Sequence, residues 1–166
     1  MTTRKLVTLA LLLAIQVVIS ALYIPISDTL RITFSFIVMM IVGMMTDIKT
    51  AILYGLLEDI SAFIVFPSGP FFIGYTLGTM VAMSIYSLFL YREVTIKQII
   101  FAKTAVTIIH NIILNSLWNA VLYTNDFFYY FALSVPKNLI LLPCEIAICI
   151  VLYRAIGPLI DRHGLK

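Results

Sequence analysis

Polar residues are so sparse along this chain that the apolar runs between them set its architecture. Six runs follow one another, at about 6–24, 32–46, 50–66, 71–91, 99–123 and 127–156. A bilayer hydrocarbon core roughly 30 Å thick takes about 20 helical residues per crossing. The pattern therefore predicts six transmembrane helices, the second short and the last long. The breaks between them carry turn chemistry: Ser27-Asp28-Thr29-Leu30 after Pro25, Asp47 and Lys49, the breaker cluster Phe66-Pro67-Ser68-Gly69-Pro70, and Thr124-Asn125-Asp126. Pro136 and Pro143 interrupt the last run and predict a kink there. Leu6 to Ile24 is too long for a signal-peptide core and is expected to be a retained helix.

Composition agrees with lipid as the solvent. Mean hydropathy is +1.08, and 62% of the 166 residues are hydrophobic against 11% charged, too little polar surface for a water-soluble domain of this size. The fold class expected is an all-α integral membrane protein, a single six-helix domain over residues 1–166, in the cell membrane. Nine of the eleven cationic side chains (Arg4, Lys5, Lys49, Arg92, Lys97, Lys103, Arg154, Arg162 and Lys166) fall on one side if the N-terminus is inside. Arg31 stands alone on the other side, and Lys137 lies within a span. The positive-inside rule then puts both termini in the cytoplasm. Cations dispersed at helix ends do not make a nucleic-acid surface. Cys144 and Cys149 are five residues apart, about 140° round a helix, and are expected to be apolar-face thiols rather than a disulfide or metal pair.

Charged and amide side chains inside a membrane are costly, about 2.5–3.5 kcal/mol for a carboxylate at the bilayer centre, so each interior polar residue is a candidate site residue. Glu58 and Asp59 occupy the outer half of the third run and point about 100° apart, so they meet different surroundings. Either one reads a polar ligand, or it pairs internally, with Lys137 as the candidate partner. Asn111, Asn115, Trp118 and Asn119 share one helical stripe at offsets 0, 4, 7 and 8. That stripe suits either a pocket wall or interhelical hydrogen bonding. Pro136-Lys137-Asn138 brings a cation into the sixth run to neutralise a carboxylate or hold an anionic ligand group. Arg31, before Phe34 and Phe36, can clamp a carboxylate by two hydrogen bonds. Phe71, Phe72 and Tyr75 add aromatic faces at the same depth. His110 is expected to be a hydrogen-bonded packing residue and Glu145 has no assigned role. No metal-ligand spacing or catalytic motif is present. In the first run Ala10 and Ala14, four apart, let another helix approach closely.

Taken together, these features resemble a substrate-binding S component of an energy-coupling factor vitamin transporter. Ala10 and Ala14 match that family's first-helix Ala-x-x-x-Ala motif. Within the family the chain is most similar to the folate-specific members, through Arg31-Ile-Thr-Phe-Ser-Phe-Ile37, Pro67-Ser-Gly-Pro-Phe-Phe-Ile-Gly74, Asn115 to Asn119 and Pro136-Lys137-Asn138.

The resemblance implies high-affinity capture of folate from outside and delivery through an ATP-driven module. That module comprises a transmembrane coupling subunit, docked on Ala10 and Ala14, and two cytoplasmic ATPases. No Walker motif occurs here, so hydrolysis would belong to those partners. A pterin offers adjacent N–H donors for Glu58 or Asp59 and flat faces for Trp118, Phe and Tyr rings, with Asn115 and Asn119 on the remaining edge. The glutamate tail would lie near Arg31 or Lys137. The expected substrate site is thus Arg31, Phe34, Phe36, Glu58, Asp59, Phe72, Tyr75, Asn115, Trp118, Asn119, Lys137 and Asn138, with no cofactor, metal or catalytic residue. The alternatives are an S component for thiamine, riboflavin or biotin and, with less support for want of an internal repeat, a stand-alone secondary transporter.

Overall fold

A computed structural model of the chain describes residues 3–25, 31–67, 70–91, 93–123 and 126–162. Its helices are α1 (Thr3–Ala21), α2 (Phe36–Met45), α3 (Ile48–Val65), α4 (Ile73–Leu90), α5 (Ile96–Tyr123) and α6 (Phe127–Arg162). Four of them, α1, α4, α5 and α6 as far as Ile160, are long and apolar enough to cross a membrane.

The other two depart from that measure for different reasons. α3 has 18 residues, but Lys49, Glu58 and Asp59 interrupt its apolar surface. α2 has only 10 residues, about 15 Å of helix, because the first residues of the expected second span are not helical. Arg31–Thr33 is instead strand β2, antiparallel to β1 (Tyr23–Pro25), with Ile24 opposite Ile32. Pairing of the two strands of this hairpin satisfies their extended backbone, and Pro25, lacking an N–H, sits at a strand end.

Methionine-rich α2 packs mainly on α4, and less on α1 and α6. Eight of its ten residues are buried, among them Phe36, Val38, Met40, Val42, Met44 and Met45. The same buried cluster holds Ala82, Met83, Tyr86 and Leu90 of α4, Ile99, Ala102 and Val106 of α5, and Ala51 and Tyr54 of α3. Gly43 allows this closeness: a Cβ there would stand 2.6 Å from Cβ of Tyr86. Ser87 donates a 2.6 Å hydrogen bond to the Thr46 carbonyl and fixes the end of α2 against α4. In contrast, α1 buries little beyond Leu9, Gln16 and Val17, and leaves Leu6, Val7, Leu11, Ile15 and Val18 outward.

Two further departures concern α5 and α6. α5 starts at Ile96 with a capping box, Thr95 accepting from the Gln98 amide (3.2 Å) while Gln98 Oε1 accepts from the Thr95 amide (2.8 Å). Lys103, counted from sequence among the cations of the cytoplasmic side, lies two turns inside the helix and is 1% exposed. α6 remains helical through Pro136, Pro143 and Pro158, so the prolines do not divide the last run. Cys149 is buried and Cys144 exposed, both as free thiols.

Candidate functional site

Beneath the hairpin, where the packing of α2 stops, a cavity of about 740 Å³ opens among the hairpin, the α3–α4 connection and the facing halves of α3 to α6. Its wall explains why adjacent carboxylates have separate fates. Asp59 faces α4, accepts a 2.5 Å hydrogen bond from the Thr76 hydroxyl and borders this cavity. Glu58, one residue earlier, turns towards α1, where Gln16 Nε2 donates to it at 3.4 Å. Glu58 borders instead a smaller inner chamber of about 230 Å³, whose wall shares Asp59, Thr79, His110, Asn111 and Glu145 with the larger one.

The opposite wall is made by α5, and here local helix geometry matters. Residues Thr107–Leu114 form a π-helical segment, with the Asn115 amide reaching back five residues to the His110 carbonyl. The wider turn brings both His110 and Asn111 to the cavity, followed by Asn115 and Asn119. The amides are ordered in sequence: Tyr75 donates to Asn119 Oδ1 at 2.7 Å, and Asn119 Nδ2 donates to Asn115 Oδ1 at 3.3 Å. From α6 come Lys137, Asn138 and Glu145. Asn138 is held by its own Nδ2, which donates to the Ser134 carbonyl at 2.8 Å.

Seven of the residues expected from sequence thus converge on the outer cavity: Asp59, Phe72, Tyr75, Asn115, Asn119, Lys137 and Asn138. Others are placed differently. Phe36 is buried on the wall of the inner chamber. Phe34 is 37% exposed and lines neither space. Trp118 stands behind the wall, its ring 5.9 Å from that of Phe72 and inclined at 63°, so that Phe72 carries the contact with the cavity. Gly74 makes room for this pair, since a Cβ there would come within 2.2 Å of Phe72 and 2.7 Å of Trp118. The side chain of Arg31 lies outside the described residues, as do Ser68 and Gly69 of the breaker loop.

Residues missed from sequence include Phe63 and Phe66 at the end of α3, Ser20 of α1, and Thr33 and Thr79. The α3 aromatics had a signal in their proximity to Pro67. Ser20 and Thr79 had none, because small hydroxyls are common in membrane helices. Glu145, without a role from sequence, pairs with Lys103 at 2.9 Å. His110 packs closely on Gly78, in line with the expectation, and also lines both cavities.

Comparisons with known proteins agree with this arrangement. Residues 4–153 match the family model for the ECF transporter substrate-specific component. The chain is 28% identical over 155 residues to the folate transporter FolT of Clostridium novyi (strain NT), covering 93% of this chain and 88% of that protein. It is 30% identical over 153 residues to FolT of Leuconostoc mesenteroides subsp. mesenteroides, covering 88% and 82%. A crystal structure of FolT bound with folic acid superposes with a TM-score of 0.83 at 28% identity, over 91% of this chain and 93% of that one. The chain belongs to the substrate-specific components of ECF transporters, membrane proteins that bind a substrate for transport and are not enzymes.

Proposed function

We propose that this chain is the folate-binding S component of an ECF-type importer, capturing folate from outside and passing it to an ATP-driven coupling module. The observation that carries the reading is the cavity of about 740 Å³ in which Asp59 opposes an ordered amide ladder, with Phe72 and Tyr75 between them. Its size falls within the roughly 300–1,000 Å³ usual for small-molecule sites. Asp59, already oriented by Thr76, offers parallel acceptors to the adjacent N–H groups of a pterin. Asn115 and Asn119 meet the ring's other polar edge, and Phe72 and Tyr75 its faces. Lys137 and Asn138, with Arg31 from the hairpin, attract the glutamate tail. Folic acid in the structurally similar FolT supports the same ligand class here.

In this reading all six helices cross the membrane as one domain, both termini are cytoplasmic, and the hairpin covers the outer mouth. α3 tolerates its carboxylates because both turn inward to partners. Ala10 and Ala14 lie exposed among Val7, Leu11 and Val18, a smooth strip suited to a helix of the coupling subunit. Hydrolysis of ATP takes place in two cytoplasmic partners.

Calorimetric titration of the detergent-purified chain with folate, thiamine, riboflavin and biotin tests the ligand. Selective folate binding, with a change in the fluorescence of the single tryptophan, Trp118, is expected, because that ring rests on Phe72. Binding of another vitamin in preference to folate would overturn the ligand assignment.

A further inference from the structure

Lys103 and Glu145 face each other on the wall of the inner chamber, and the reading above leaves both unused. Their charged atoms are 2.9 Å apart, with the side chains 1% and 13% exposed. The same ammonium lies 4.3 Å from the centroid of the Phe36 ring, which holds it from another side. The pair is asymmetric with respect to ligand space: Glu145 borders both cavities, Lys103 only the inner one. Glu58, Asp59 and Glu145 all border the inner chamber, and Lys103 is the lysine among its described lining residues. Lys137, on the wall of the larger cavity, also acts on Glu145 through space, but Lys103 is its partner at 2.9 Å, and taking away the close member of a buried pair leaves the other's charge poorly compensated.

We propose that Lys103 is a specificity-determining positioning residue that acts through Glu145. By holding that carboxylate in an ion pair, it keeps the deep wall of the cavity from favouring cationic rings, so the site accepts a neutral hydrogen-bonding ring. The inference rests on the folate reading. The chemistry that exposes it is simple. A pterin carries an oxo group and is neutral near neutral pH, whereas exchange of that oxo group for an amino group makes the ring more basic. A 2,4-diaminopteridine analogue of folate therefore takes up a proton readily beside an unpaired carboxylate. It is repelled by an unpaired ammonium.

The test is the ratio of affinities for folate and for that analogue, measured by calorimetry on the same detergent-purified preparations. Lys103→Met is expected to shift the ratio about tenfold or more towards the analogue. Glu145→Gln, leaving Lys103 unpaired, is expected to shift it in the opposite direction. Lys103→Arg retains the wild-type ratio, and the double variant K103M/E145Q returns it to within about threefold. A ratio unmoved in the single variants, or moved the same way in both, overturns the proposal. Should Lys103→Met not fold, the Glu145→Gln arm decides by itself. Wild-type protein that binds neither compound overturns the folate reading and this inference with it. That result is distinct from intact binding with a fixed ratio, which overturns the inference alone.

Discussion

The two halves of α4 show how one helix serves two purposes. From Ala82 to Leu90 it packs side chain against side chain on α2 and α5, with Ala82, Met83, Tyr86 and Leu90 each no more than 1% exposed. From Gly74 to Thr79 the same helix lines the cavity with Tyr75 and Thr79 and supports its wall with small groups: Tyr75 bonds Asn119, Thr76 bonds Asp59, and Gly74 lies beneath Phe72 and Trp118. The change coincides with the reach of α2, which fills the bundle from Phe36 to Met45 and goes no further. Where its methionines stop, polar groups have space to address a ligand instead of one another. In this chain the cavity opens where the short α2 stops, while α4 continues past it.

The largest expected effect tests this contrast at the adjacent carboxylates. Asp59→Ala should weaken folate binding about 100-fold or more, because two charge-assisted hydrogen bonds of about 1.5–3 kcal/mol each are lost. Glu58→Gln, whose side chain is turned to Gln16, should change affinity less than about fivefold. Equal losses in the two titrations would erase the distinction between the faces of α3.

Glycine substitutions compare the halves more directly. Gly74→Ala forces Phe72 and Trp118 apart, and should cost about tenfold in folate affinity with a shifted Trp118 emission. Gly43→Ala overpacks the Tyr86 contact by about 1–3 kcal/mol; it should lower the melting temperature while folate affinity stays as in wild type. The reverse assignment of these two effects would break the comparison.

A smaller change is expected from Tyr75→Phe. It removes the donor to Asn119 without altering ring contacts, so binding should fall about three- to tenfold. The least effect belongs to the turn before α3, far from the cavity. There the Thr50 hydroxyl, 2.6 Å from Asp47, holds its carboxyl below the usual range. With the folded value depressed, the stabilisation is complete above the ordinary carboxylate range and disappears as pH falls through the lowered value. Asp47→Asn should therefore lower the melting temperature slightly at about pH 7 and not at about pH 3. Folate affinity should be unchanged at neutral pH.

Much of this was legible in the sequence because lipid makes polar residues conspicuous. Asp59, Asn115, Asn119 and Lys137 stood out by cost alone, and all four border the cavity. Trp118 was harder to place, since a strict α-helical stripe gives no sign of the π-helical segment before it. Lys103 followed the rule that lysine marks a water-facing end until a carboxylate 42 positions later in sequence gave it a buried partner. Likewise, Arg31–Thr33 belongs to an apolar-rich run, and nothing local distinguishes a strand over the bundle's mouth from the start of a helix.

By itself, then, the sequence determined that the chain is a helical membrane protein and which residues are too polar to face lipid, because those depend on composition and on the about 1.5 Å rise of a helix. Only the tertiary structure decided that Asp59 and not Glu58 meets the large cavity, that Phe72 shields Trp118, and that Lys103 and Glu145 are partners. Those outcomes depend on which neighbouring helix stands opposite each face, a relation that no spacing along one helix contains.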